Sequence, residues 1–243
     1  MKKNKYIIEQ IPAIVWGEPS DAVYLFVHGK MSKKEEAEGF AEIATTHGFQ
    51  VVSFDLPEHG ERLDTHYPCT VQNAVNDLEH ILKYAEKHWQ TINLFACSLG
   101  AYFSLIAYKD VKFNKCLFLS PILDMERLIQ NMMGWFGVNA EQLQEKKEIP
   151  TPIGETLSWE YYEYVRNHPI QTWNVPTNIL YGDRDNFTEK NVLDDFVKKF
   201  HASVQTVQGG EHYFQTEEHV CILNEWINSS IQDQLRNLHK HDL

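Results

Sequence analysis

The sequence predicts an α/β fold: a mostly parallel central sheet covered by helices on both faces, with a small helical cap over one edge. Three observations carry this. Short runs of β-branched and aromatic residues alternate with longer segments of helical apolar spacing. The runs are apolar nearly throughout, as strands buried on both faces are. The β-α-β-α alternation implies right-handed crossovers in one open, doubly wound sheet.

The elements follow in chain order. KYIIEQIPAIVWG (5–17) predicts one or two antiparallel edge strands, with Pro12 at a turn or edge because it offers no N–H to a ladder. AVYLFVHG (22–29) is a strand, 33–47 a helix with Phe40, Ile43 and Ala44 as its apolar positions, and QVVSFDLP (50–57) a second strand. Residues 70–87 place Val71, Val75, Leu78, Ile81, Leu82 and Ala85 at helical spacing. TINLFACS (91–98) leads into a helix from Leu99 to about Tyr108, and KCLFLSP (115–121) follows as a strand. TNILYGD (177–183), a helix at 189–200, SVQTVQG (203–209) and a helix at 214–230 complete the pattern. Between Pro121 and Val175 no strand signal is visible; MMGWFGVN (132–139), a polar helix near 140–148 and SWEYYEYVRNHP (158–169) stand there instead. That stretch is too long for a plain loop. It reads as a cap insertion at about 122–175 in a single domain spanning 1–243, its aromatics either lining a pocket or anchoring the insertion. The tail 231–243 is open between a fraying helix end and a contact surface.

Composition bounds the function. With 243 residues, 43% hydrophobic and 23% charged, the chain buries a sizeable core without disulfide or metal. Lys and Arg total 22 against 34 Asp and Glu, a formal charge of −12 with no basic cluster, which excludes nucleic acid as a partner and disfavours anionic membranes. Cys69, Cys97, Cys116 and Cys221 form no C-x-x-C pair, so zinc and redox motifs are excluded and a reducing, cytoplasmic setting is expected. The N-terminal lysines precede no apolar signal region, and no window reaches the ~20 apolar residues of a membrane helix. Nothing in the sequence fixes an oligomeric state.

In such sheets, sites form outside the carboxyl ends of the strands. At one of these ends, Ala96-Cys97-Ser98-Leu99-Gly100 has the strand–serine–helix layout of a nucleophile elbow, with small residues two before and two after the serine. The bland alternative is a serine that only caps a helix. His28-Gly29-Lys30, Asp55-Leu56-Pro57-Glu58-His59-Gly60, Gly182-Asp183-Arg184-Asp185 and Gly209-Gly210-Glu211-His212 lie at other strand ends.

Taken together these motifs resemble the α/β-hydrolase family from about residue 20 to 230, in the esterase, monoacylglycerol lipase and serine-aminopeptidase-like branch. The resemblance implies a Ser98–Asp185–His212 triad: the acid three residues beyond Gly182, the base in a Gly-x-x-His loop, in the family's nucleophile–acid–base order. It implies an oxyanion hole from the backbone N–H groups of Lys30 and Leu99. Asp183 becomes a turn residue, Asp124 a remote alternative acid, and His28, Asp55 and His59 fold markers. Glu58 stands where the family has Gly. His201 and His219 fall in helical contexts at the surface.

The expected function is therefore a serine hydrolase acting on a small-molecule acyl ester of short to medium chain, with no metal or organic cofactor. Thioesters and lactones need the same machinery. A peptidase is the second enzyme reading, with Glu155, Glu160 or Glu163 binding a substrate amine, against the plainer reading of a solvated helix face. A non-catalytic binding protein on the same fold is the remote alternative.

Overall fold

The structure, a computed structural model, describes the chain through residue 241 and its side chains through 236; the last residues of the tail lie outside the described residues. The strands are β1 (Lys3–Ile8), β2 (Ile11–Trp16), β3 (Ala22–Val27), β4 (Gln50–Phe54), β5 (Thr91–Cys97), β6 (Cys116–Leu119), β7 (Glu148–Pro150), β8 (Thr156–Ser158), β9 (Thr177–Gly182) and β10 (Ser203–Val207). The helices are α1 (Glu38–Thr46), α2 (Val71–His88), α3 (Leu99–Ala107), α4 (Met125–Trp135), α5 (Ala140–Lys146), α6 (Trp159–Asn167), α7 (Lys190–Phe200) and α8 (Glu217–His241). Eight strands form one sheet in the order β1-β2-β4-β3-β5-β6-β9-β10, antiparallel at β1–β2 and β2–β4 and parallel elsewhere.

The two-residue period of a strand divides the core. Val23, Leu25 and Val27 of β3 join a cluster with Leu78 and Ile81 of α2, Phe103 of α3 and Leu193 of α7. Tyr24 and Phe26 point the other way, to Phe40 and Ala44 of α1 and Trp226 and Ile227 of α8. Tyr24 also donates to Gln234 of α8, whose amide donates to Asn93 at 2.7 Å, a buried polar tie for that helix. α2 begins where Thr70 accepts from the Asn73 N–H at 3.2 Å, a side-chain N-cap.

Four expectations change. Pro12 lies at neither turn nor edge. The turn is Glu9–Gln10, both at positive φ, and Pro12 is the second residue of β2, between β1 and β4. There its carbonyl accepts the Asp55 N–H at 3.0 Å, and its missing N–H falls at the start of the ladder, where the loss is smallest. β10 is apolar-poor and largely exposed because it is a sheet edge. The last helix runs to His241 rather than stopping near 230. The stretch between β6 and β9 contains α4, α5 and α6 but also the antiparallel pair β7–β8, three residues each. Strands that short leave no readable alternation. Leu143, Leu157, Tyr162, Val165 and Trp173 anchor this stretch to the body, and the Trp173 indole donates to Thr177 Oγ1 at 2.8 Å.

Candidate active site

The parallel strands bring their carboxyl ends together, and Ser98 stands between β5 and α3. Its backbone has φ 49° and ψ −117°, a left-sided conformation that costs a non-glycine residue about 1–3 kcal/mol. Hydrogen bonds hold it there. The Ser98 N–H donates to Leu119 O at 3.0 Å, and its carbonyl accepts from Ala101, Tyr102 and Ile122 at 3.1, 3.3 and 3.2 Å. Gly100 is required by the close passage of β3: a Cβ there would lie 2.3 Å from His28 O. Ala96, fully buried, shows that the preceding small position tolerates a methyl. Ser98 occupies the N-cap place of α3, but its hydroxyl makes no capping bond. It pairs instead with His212 Nε2 at 2.8 Å.

His212 and Asp185 come from neighbouring loops. β9 ends at Gly182, where a Cβ would stand 2.3 Å from Gly210 O, so the two loops touch only because Gly182 has no side chain. The Arg184 N–H donates to Gly210 O at 2.8 Å across that contact. His212 Nδ1 then meets Asp185 Oδ2 at 2.8 Å, both side chains buried. The other carboxylate oxygen, Oδ1, accepts from the N–H groups of Phe187 at 2.7 Å and Thr188 at 3.2 Å, which fixes the acid against rotation. With Nδ1 donating to a carboxylate, Nε2 is left as the acceptor for the serine proton. Asp183 has a separate task, accepting at 2.7 Å the N–H of Gly209 from the loop after β10. Asp124 is exposed and caps α4 through the Arg127 N–H at 2.9 Å. His201 is exposed and ends α7. Cys97 sits beside Ser98, yet burial pushes its thiol up to about 12, so it offers no thiolate.

Neither the Lys30 nor the Leu99 N–H has a hydrogen-bond acceptor among the described residues. The loop carrying Lys30 is clamped on both sides by histidines. The Leu56 N–H donates to His28 Nε2 at 3.1 Å, so His28 carries its proton on Nδ1 and donates to Gly29 O at 2.7 Å. The Met31 N–H donates to His59 Nε2 at 3.2 Å, so His59 donates from Nδ1 to Pro57 O at 2.7 Å. The peptide units before and after Lys30 are thus both tied. A trans peptide directs its N–H opposite to its C=O; the tied Gly29 carbonyl therefore turns the Lys30 N–H away from His28. The loop runs against the serine, for a Cβ on Gly29 would lie 3.2 Å from Ser98 Cβ. Burial pushes His28 down to about 4, which keeps the ring neutral and the clamp closed near neutral pH.

Asp55 supports that clamp from below. Its Oδ1 accepts the Lys34 N–H at 2.9 Å, and its Oδ2 accepts Lys34 Nζ at 2.7 Å and the Glu61 N–H at 3.0 Å. Burial alone would lower the Lys34 pKa; its bonds to Asp55 and Glu61 outweigh that and raise it. Arg62 donates to Asp55 O at 3.0 Å and to Asp77 of α2. Lys34, Arg62 and Asp77 were not marked by any motif, because a buried ion pair looks in sequence like ordinary surface charge. Glu58, in the family's glycine place, does adopt positive φ (58°) and accepts the Cys69 N–H at 2.6 Å. We expect Asp55→Ala to cost about 3–5 kcal/mol in urea unfolding, because it leaves the buried Lys34 ammonium only the more exposed Glu61 and Glu35 and strands the N–H groups of Lys34 and Glu61; a loss below about 1 kcal/mol would contradict this account.

An open cleft of about 600 Å³ adjoins the site, walled by Asn131, Trp135, Phe136 and Ile153 on one side and by Asp185, Asn186, Phe187 and Glu189 on the other. The Phe187 ring packs on His212 with centroids 4.5 Å apart. Across the sheet end, Lys30 Nζ is ion-paired with Glu155 in the turn between β7 and β8. Among the described residues no helix is long and apolar enough to cross a membrane.

No protein-family model and no curated protein sequence matches the chain. Solved structures do. Est1E from Butyrivibrio proteoclasticus, in a structure with ferulic acid bound, is 16% identical, with a TM-score of 0.76 over 96% of this chain and 99% of that one. Mouse alpha/beta hydrolase domain-containing protein 10 is 16% identical, with a TM-score of 0.73 over 96% and 99%. The Pyrococcus furiosus esterase Pf2001 is 16% identical, with a TM-score of 0.68 over 97% and 90%. At these TM-scores over nearly the whole of each chain, with an eight-stranded, mostly parallel sheet, the chain has the α/β-hydrolase fold.

Proposed function

We propose that the protein is a serine hydrolase that cleaves carboxylic esters through an acyl-Ser98 intermediate, with the stretch from about 122 to 175 as its cap. One observation carries the reading: an unbroken Ser98–His212–Asp185 hydrogen-bond chain, 2.8 Å at each link, on a strained turn beside two acceptor-free N–H groups. His212 takes the serine proton as Oγ bonds to the ester carbon. The carbonyl oxygen becomes an oxyanion facing the N–H groups of Lys30 and Leu99. His212 then gives the proton to the departing alcohol oxygen as the C–O bond breaks. Water, deprotonated by the same ring, releases the acid and restores Ser98. Asp185 holds the imidazole tautomer and stabilises the imidazolium. Each oxyanion donor is worth about 3 kcal/mol in the transition state.

The solved neighbours include esterases, which supports this chemistry without naming a substrate. A substrate amine finds little to bind: Glu155 is paired with Lys30, and Glu160 and Glu163 are exposed on α6. The four unpaired cysteines fit a reducing compartment. A fluorophosphonate probe is expected to label the wild type and not Ser98→Ala. p-Nitrophenyl esters of short to medium chain should turn over, and faster than aminoacyl amides. An unlabelled wild type, or a clear preference for amides, would overturn the reading.

A further inference from the structure

Apart from Asp185, the walls of the cleft beside His212 have no part in the proton chemistry, yet they are built. Trp135 and Ile153 are 49% and 56% exposed, large apolar side chains left open to solvent. Trp135 meets Phe187 edge-on with centroids 6.5 Å apart, and Tyr213, 51% exposed, meets Phe187 at 6.3 Å. Trp135, Phe136 and Phe187 therefore border one concave surface, with Tyr213 packed beside Phe187 outside it, an arrangement that marks a ligand surface rather than scattered exposure. Both carboxylates on its wall are partnered, Asp185 by His212 and two backbone N–H groups and Glu189 by Arg127. Glu189 accepts from Arg127 Nε at 2.7 Å and from a second guanidinium nitrogen at 3.1 Å. An ionic ligand would have to break that pair; an uncharged one would not.

Its position decides which half of an ester it can hold. Phe187 joins the cleft to His212, because it lines the cleft and packs on the imidazole. In acyl transfer the imidazole hands its proton to the oxygen of the departing alcohol, so that oxygen leaves on the histidine side. The acceptor-free N–H of Lys30 lies on the loop after β3, separate from the cleft walls.

We propose that this cleft is the alcohol subsite, and that it takes a flat, uncharged aromatic alcohol between Trp135 and Phe187. The proposal rests on the esterase reading above and specifies the leaving group within it. Aromatic rings supply apolar area with edge-to-face geometry, which an aryl group meets better than a methyl or ethyl group. Trp135 and Phe187 are then specificity-determining residues, and Trp135 touches no atom that reacts.

The test compares esters that share one acyl group and differ in the alcohol: 2-naphthyl acetate against an aliphatic acetate whose alcohol has matched acidity, hexafluoroisopropyl acetate. All acetates pass through the same acetyl-Ser98, so a difference in kcat/KM between them reports the alcohol alone. Wild type is expected to favour the naphthyl ester by about tenfold or more, the scale that modest apolar contacts give. Trp135→Ala should remove most of that preference by lowering kcat/KM for the naphthyl ester far more than for the aliphatic one, and leave the acyl chain-length profile unmoved. Trp135→Phe should keep part of it, which separates an aromatic contact from a folding defect. If Trp135→Ala shifts the acyl-length profile instead, or leaves the naphthyl preference intact, the assignment falls. A wild type that hydrolyses none of these esters and takes no fluorophosphonate label would remove the esterase reading and this one with it. An active wild type without aryl preference would remove this one alone.

Discussion

Ser98→Ala is expected to lower kcat for ester hydrolysis by about 10⁵–10⁶-fold, and His212→Ala by a similar factor, while the double variant loses no more than either single one. In the proposed mechanism the two side chains act as one device. The Ser98 hydroxyl is a poor nucleophile until His212 Nε2, 2.8 Å away, removes its proton. Without the histidine the serine cannot attack. Without the serine the histidine has only water to activate. The clamped Lys30 N–H and the Leu99 N–H persist in every variant, so a residual rate above that in water should survive. Alanine at 98 keeps the backbone hydrogen bonds that hold the turn, and unfolding midpoints should move little. Steady-state kinetics with a p-nitrophenyl ester and thermal melts on the four proteins measure this. Additive losses in the double variant would mean that the two residues do not share one step.

Legibility differed by element for physical reasons. β3, β5 and β9 were readable because strands buried on both faces must be apolar along their whole length. The turns at Ser98 and Gly182 were readable because close backbone passage leaves a small-residue trace. β7 and β8 left none, being three residues long with Pro150 in one of them. Lys34 was hidden for another reason. It lies in the segment 33–47 read as a helix, but the chain begins that segment as a 3-10 turn and folds the side chain inward onto Asp55. The histidine clamp was half visible: His28 and His59 stood out as fold markers. Their shared function at Lys30 depends on which ring nitrogen each donates from, and only three-dimensional neighbours decide that. The cleft was the least legible, because its two walls are more than thirty residues apart in sequence.

The identity of the acid gives the second large effect. Asp185→Asn is expected to reduce kcat by about 10⁴-fold, and Asp183→Asn to leave it within a few-fold. Both residues sit in one turn, both accept hydrogen bonds, and only their partners tell them apart. Asp185 Oδ2 accepts from His212 Nδ1, and Oδ1 is already held by the N–H groups of Phe187 and Thr188. In Asp185→Asn those two backbone donors keep the carbonyl oxygen, so the new NH₂ group faces His212. The ring can then meet it only by accepting at Nδ1, which puts the proton on Nε2 and leaves no lone pair for Ser98. The loss is thus one of tautomer, with geometry and substrate binding kept, so KM should change far less than kcat. Asp183 only receives the Gly209 N–H, and asparagine retains that acceptor oxygen. Kinetics of the two variants side by side, with melts to show that both fold, separate the roles. The opposite pattern would move the acid to Asp183 and require the loop between β9 and α7 to be drawn differently around His212.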